Sequence, residues 1–175
     1  TRRRVAFPNV RSIAVDLSLY ADAGASDAQE LGAGLAAGVA WLRALTDAGL
    51  EINEAAAQLE FTVSVGPDQF LSITKLRALR TTWSRIVQVS GAGPATAPIT
   101  IHALTSAAMM SQRDPWVNML RTTTACFAAA VGGAAAITVQ PFDSALGASD
   151  ELGLRIARNT QLILQDETHA AAVID

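Results

Sequence analysis

His102 and His169 are the side chains best suited to acid–base chemistry near neutral pH. His102 is expected at the carboxyl end of a short apolar strand, where α/β folds hold their chemistry. Its plainer role there is that of a hydrogen-bonded rim residue. His169 falls in a tail beyond the last helical pattern and is expected to be solvated. Neither has a Cys or His neighbour at metal-ligand spacing, so no zinc site is expected. Asp16 and Asp22 flank one loop, an arrangement too common to name a reaction. Cys126 sits in Thr-Ala-Cys-Phe-Ala-Ala-Ala, an apolar helical run in which a thiol packs as a small hydrophobe. Helix starts after Gly24, Gly66 and Asp114 offer N–H groups to an anion, but Asp68 and Asp114 would repel one. No Walker loop or G-x-G-x-x-G fingerprint occurs.

These residues are carried by a pattern that repeats four times: strand, loop, helix. The first strand covers about Ser12 to Leu17, with Ile13, Val15 and Leu17 apolar. A loop over 18–25 ends at Ser26, which with Gln29 forms a Ser-x-x-Gln capping box for a helix reaching about Asp47 and stopping at Gly49. Gly32, Gly34 and Gly38 weaken that helix, and close packing against a sheet is the expected compensation. The second strand is Leu59 to Val65. Its helix, Asp68 to Ser90, places Phe70, Ile73, Leu76, Leu79, Trp83 and Ile86 on one side and Lys75, Arg77, Arg80 and Arg85 largely on a solvated one. The third strand is Ile99 to Ala103, after a Gly/Pro/Ala loop over 91–98. The third helix opens at Asp114-Pro115, cap and first turn, and stops at Gly132-Gly133. The fourth strand is about Ala136 to Gln140 and its helix Ser149 to Leu164.

Strand starts near 12, 59, 99 and 136 give a repeat of roughly forty residues, enough for a right-handed crossover each time, so the sheet should be parallel. Either an open flavodoxin-like sheet or part of a (β/α)8 barrel accepts four such units. A whole barrel needs about 250 residues, and the 175 here favour the open sheet on length alone.

The formal net charge of -3 provides no global field for nucleic acid or an anionic membrane. Arg2-Arg3-Arg4 is the one basic run and is expected to be solvated. A single cysteine excludes an internal disulfide and fits a reducing compartment. No signal pattern or membrane-spanning run is present, so a cytoplasmic protein is expected.

Six ordered blocks are similar to the barrel domain of the methylmalonyl-CoA mutases, which are adenosylcobalamin-dependent isomerases. They are Asp-Ala-Gly-Ala-Ser-Asp-Ala-Gln-Glu-Leu (22–31), Ile-Thr-Lys-Leu-Arg-Ala-Leu-Arg with Trp83, and Gln-Arg-Asp-Pro-Trp-Val-Asn-Met-Leu-Arg-Thr-Thr (112–123). Val-Gly-Gly (131–133), Phe-Asp-Ser-Ala-Leu (142–146) and Ile-Ala-Arg-Asn-Thr-Gln-Leu-Ile-Leu-Gln (156–165) complete the set. The resemblance implies that the four units are the C-terminal half of a (β/α)8 barrel, strands five to eight, over residues 1–168, with 169–175 a tail or the start of a linker. Half a barrel exposes two strand edges, which missing sequence or a partner chain must cover.

Active members carry His-Met-Gln-Glu-Ala-Gly-Ala in the first loop, the histidine touching the substrate thioester carbonyl. The aligned residues here are Leu-Tyr-Ala-Asp-Ala-Gly-Ala, with Leu19 at the histidine position. Gln58 and Glu60 stand where active chains have an arginine and a serine at the coenzyme A arm, and Glu60 would repel its phosphates if it faced them. Thr-His-Ser-Gln-Thr-Ser-Gly-Trp of active chains aligns with Ile-His-Ala-Leu-Thr-Ser-Ala-Ala at 101–108: His102 is retained, whereas Leu104 and Ala107 replace a glutamine and a cofactor-side glycine. Ser144 replaces a glutamate near the cofactor. No Asp-x-His-x-x-Gly cobalamin signature occurs.

The pattern is most like the small subunit of two-chain mutases. It implies no catalytic residues, no cofactor bound by this chain, and a homologous catalytic large subunit that holds adenosylcobalamin and the coenzyme A thioester. An acyl-CoA isomerase of altered specificity, resting on His102, and an unrelated α/β binding module are the alternatives.

Overall fold

The computed structural model describes residues 10–93 and 98–173. The Arg2-Arg3-Arg4 run, the centre of the 91–98 loop and the last two residues lie outside them. Four strands, β1 (Ile13–Asp16), β2 (Leu59–Val65), β3 (Thr100–Thr105) and β4 (Ala136–Thr138), form one parallel sheet in the order β1-β2-β3-β4. Strand order follows chain order without a reversal. A doubly wound sheet has such a reversal, at its switch point. The sheet also has one covered face: Val15, Phe61, Val63, Ile101 and Ala103 pack with Leu42, Leu76, Leu79, Trp83, Val87 and Ala129 from the crossover helices. Of the alternate positions, Asp16, Glu60, Thr62, His102, Leu104 and Thr138 are exposed or half-buried, whereas Ser64 is buried. Sequential order with helices on one side is the wall of a barrel, so the four units are α/β units consistent with half of a (β/α)8 barrel, and the open-sheet alternative is set aside.

The helices are α1 (Ser18–Asp22), α2 (Asp27–Asp47), α3 (Ile52–Ala56), α4 (Gln69–Val89), α5 (Val117–Val131) and α6 (Glu151–Asp166). The capping box at the start of α2 is present: the Ser26 hydroxyl accepts from Gln29 N–H, and the Gln29 side chain accepts from Ser26 N–H at 2.9 Å. Gly24, at φ +94°, turns the chain into it through the left-handed region that side-chain-bearing residues avoid. Asp68 caps α4, accepting from Leu71 N–H at 3.0 Å. Among the described residues, no helix is long and apolar enough to cross a membrane.

Several expectations are corrected. The 18–25 segment is not all loop, because Ser18–Asp22 winds one short helix directly off β1. α3 is an added short helix before β2. Asp114 does not cap α5: its φ of +57° is far from the extended geometry a capping residue needs, and the helix begins at Val117 through turns onto the Asp114 and Pro115 carbonyls. Phe70, placed on the packed side of its helix, is 76% exposed in the helix's first turn. Lys75 is buried, not solvated; its ammonium is 2.7 Å from both Asp27 and Glu30. Arg80 is half-buried and donates to the Gly132 and Gly133 carbonyls at 3.1 and 2.8 Å, closing the carboxyl end of α5 where backbone acceptors lack partners.

The glycines of α2 divide by position. A Cβ at Gly34 would overlap the Leu17 side chain, and one at Gly38 would lie 2.8 Å from Trp83 and 2.9 Å from Phe61, whereas nothing lies within 4 Å of one at Gly32. Gly32→Ala is therefore expected to stabilise the protein by about 0.5–1 kcal/mol through helix propensity, and Gly34→Ala to destabilise it by about 1–3 kcal/mol through overpacking. Paired thermal melts check both signs.

Candidate functional site

Two surfaces carry the candidate residues: the open face of the sheet and the rim beyond the strands' carboxyl ends. His102 lies on the open face, in register with Thr62 and Ala136. It is the third of six residues in β3, not its carboxyl end, because the strand continues through Thr105. Its Nε2 is 2.7 Å from Thr138 Oγ1 on β4, and its Nδ1 is 4.0 Å from Glu60 Oε1 on β2. Glu60, His102 and Thr138 thus form a diagonal row across three strands. The threonine contact is a hydrogen bond, and the carboxylate contact is longer than one. Thr138 is the member that sequence reasoning missed. Only the two-residue alternation on β3 and β4 pointed to it, and no pattern in a three-residue strand reveals its register.

Asp16 shares this face but is engaged locally, accepting from Ser18 N–H at 3.0 Å and Ser18 hydroxyl at 2.6 Å. Gln58 is not exposed on the open face. It is buried at the amino ends of the strands, where its side chain accepts from Ser12 hydroxyl at 2.9 Å and its carbonyl from Ser12 and Ile13 N–H.

The rim is built by α1 and by the 3-10 turns Ala107–Met109 and Ser144–Leu146. Leu19, on α1, is 66% exposed. Ala107 opens the first turn and is exposed, and Ser144 opens the second, 3.4 Å from the Gln140 side chain. Asn118, fully buried, binds the two rim loops together: it donates to the Ser111 and Phe142 carbonyls, each at 2.8 Å, and accepts from Ser111 N–H and Arg121. Trp116 stacks on Phe142 at 4.7 Å. The scaffold is therefore tightly held while Leu19 and Ala107 present only aliphatic groups.

His169, at φ +51°, is exposed after α6, and a 3-10 turn follows over Ala170–Val173 with Ala170 buried. It is not brought near His102's row by any contact described. Cys126 is buried, and burial pushes its thiol up to about 11, so it stays protonated and unreactive near neutral pH. Among the described residues, no group of three His, Cys, Asp or Glu is arranged to hold a metal ion.

The sequence model of the family described as Methylmalonyl-CoA mutase matches residues 3–175. The chain belongs to the methylmalonyl-CoA mutase family. Among its relatives, the methylmalonyl-CoA mutase small subunit of Streptomyces virginiae is 57% identical over 169 residues, covering 97% of this chain and 27% of that protein. The methylmalonyl-CoA mutase small subunit of Propionibacterium freudenreichii subsp. shermanii is 42% identical over 169 residues, covering 96% of this chain and 26% of that protein. A protein of Escherichia coli K12 named methylmalonyl-CoA mutase is 35% identical over 169 residues, covering 96% and 24%. The chain thus spans about a quarter of the length of the curated relatives it matches. Adenosylcobalamin is the cofactor this mutase family suggests. The rim residues at the cofactor positions fit it poorly, since Ala107 adds an exposed methyl group where the resemblance implies a glycine, and Ser144, where it implies a glutamate, is shorter, uncharged and 3.4 Å from the Gln140 side chain.

Proposed function

We propose that this chain is part of a non-catalytic small subunit of a two-chain methylmalonyl-CoA mutase. Its partner is a homologous catalytic large subunit, which binds adenosylcobalamin and interconverts methylmalonyl-CoA and succinyl-CoA. The carrying observation is Leu19: the rim loop around it keeps its strand, glycine turn and capped helix, yet an exposed aliphatic side chain occupies the position of the active chains' histidine. A leucine side chain can neither donate a proton nor polarise a carbonyl. The small-subunit names of the relatives support the same assignment. Glu60, on the open face, would oppose coenzyme A phosphates brought to that face. In this proposal the cytoplasm is the compartment, residues 1–168 are the barrel half, and 169–175 are a tail or the start of a linker.

The alternative, a catalytic chain of altered specificity, rests on His102. His102 sits in mid-strand and its ring is bonded to Thr138, which favours a structural role. Co-expression with a catalytic-type chain tests the choice. Copurification is expected, and Leu19→His or His102→Ala in this chain should leave turnover of the complex within about twofold. Cobalamin retained by this chain alone, or turnover abolished by His102→Ala, would overturn the proposal. Gln58→Arg is unsuitable here, because a longer cation would be forced into the buried contact with Ser12.

A further inference from the structure

The pairing of β1 with β2 stops one rung early. The parallel register runs from Ile13 opposite Leu59 to Asp16 opposite Thr62, and Leu17 N–H donates to the Thr62 carbonyl at 2.8 Å. The next rung of a parallel ladder would join Ser64 N–H to the Leu17 carbonyl. That carbonyl is already engaged, accepting from Tyr20 N–H at 3.0 Å and Ala21 N–H at 3.5 Å as α1 begins. Ser64 is 3% exposed, so neither the ladder nor water is available to its N–H.

A side chain fills the gap. Glu30 on α2, fully buried, accepts the Ser64 N–H through Oε1 at 2.9 Å and the Lys75 ammonium through Oε2 at 2.7 Å. Lys75, from α4, also donates to Asp27 at 2.7 Å. One carboxylate therefore contacts a strand end and a helix at once, with its charge neutralised by a buried cation.

We infer that Glu30 is a positioning residue for the first rim loop. Its carboxylate takes the place of the strand carbonyl, which allows the chain to leave β1 at Leu17 and wind α1 over the rim without leaving the Ser64 N–H unpaired. Lys75 holds that carboxylate in place and balances it. The path of the loop, and so the placement of any side chain at position 19, is set from behind by a helix-to-strand contact and not by residue 19. The inference holds whether or not the chain catalyses.

Hydrogen exchange followed by mass spectrometry on the natural full-length protein tests it, using peptides that cover Val63–Gly66 and Leu17–Ala23. The double variant Glu30→Met/Lys75→Met removes the surrogate acceptor without leaving a buried charge behind. Exchange in those two segments is expected to rise about tenfold or more, with β3 and α5 unchanged. Glu30→Gln/Lys75→Met keeps one acceptor oxygen at the same reach and removes the ammonium that would oppose the amide NH2, so it is expected to protect Ser64 better than the double methionine variant does. Parent-like exchange in Glu30→Met/Lys75→Met, equal acceleration throughout the sheet, or equal exchange in the two double variants would each overturn the inference. Should the double methionine variant not fold, Glu30→Asp makes the comparison with the parent, because it keeps a charge opposite Lys75 but shortens the reach to Ser64. Parent-like exchange in Glu30→Asp refutes the role.

Discussion

Lys75→Met is expected to destabilise the protein by about 3–5 kcal/mol, the cost of leaving one member of a buried ion pair without its partner. The Lys75 side chain is 5% exposed and that of Glu30 is not exposed at all, so little water can reach the carboxylate once the ammonium is gone. Methionine is apolar and similar in length, which confines the loss to charge and hydrogen bonding instead of adding a cavity. Asp27, 49% exposed, loses less because solvent replaces the lysine there. The control is Glu30→Met/Lys75→Met. Replacing a whole buried pair by apolar groups is neutral to stabilising by about 1–4 kcal/mol, offset by about 1–3 kcal/mol for the orphaned Ser64 N–H. The double variant should therefore be more stable than the single one. Urea unfolding with unchanged m-values reads the difference. A single variant within 1 kcal/mol of the parent would show that the pair carries no such weight.

Lys75 also marks where sequence reasoning reached its limit. Periodicity treats a lysine as a polar residue for the solvated side, and its two acceptors come from a helix more than forty residues earlier. Only tertiary packing of α4 against α2 brings them together, and that packing needs Gly34 and Gly38 in α2 to admit Leu17, Phe61 and Trp83. Local features were easier to read. The Ser26–Gln29 box, the bounds of β2 and the stop at Gly132-Gly133 depend on residues within a few positions of one another, and each is present. Asp114 failed as a cap for an equally local reason, since its backbone is left-handed and no side-chain pattern reports that.

The candidate site was legible in part. The sequence singles out His102 on the third strand but ends that strand at Ala103, which puts His102 at the rim instead of in mid-strand, and its shared face with Glu60 follows only from the β2–β3 register. The hydrogen bond to Thr138 depends on the β3–β4 register, which is a property of the sheet and not of either segment. Leu19 could be singled out only through the family's histidine. As an isolated residue it is one exposed leucine among several.

Trp83→Ala is the second large effect, expected at about 3–5 kcal/mol. The indole is 3% exposed, meets the Phe61 ring edge-on at 4.7 Å and an interplanar angle of 62°, and lies over Gly38 of α2. It therefore joins α4, α2 and β2 at one point, and truncation leaves a void bordered by a rigid strand and a glycine that cannot fill it. Aromatic contact with Phe61 adds about 0.5–1.5 kcal/mol beyond the area buried. The same geometry predicts coupling with Gly38. Alone, Gly38→Ala should cost about 1–3 kcal/mol, because its Cβ would press on both rings. In the Trp83→Ala background one of those rings is gone, while Phe61 Cζ, at 2.9 Å, still opposes the new methyl group. Rescue should therefore be partial, with the double variant more stable than the sum of the two losses by about 0.5–3 kcal/mol. A double-mutant cycle by chemical denaturation measures this term. Strict additivity would mean that Trp83 and Gly38 do not meet as described, and that the glycine serves β2 alone.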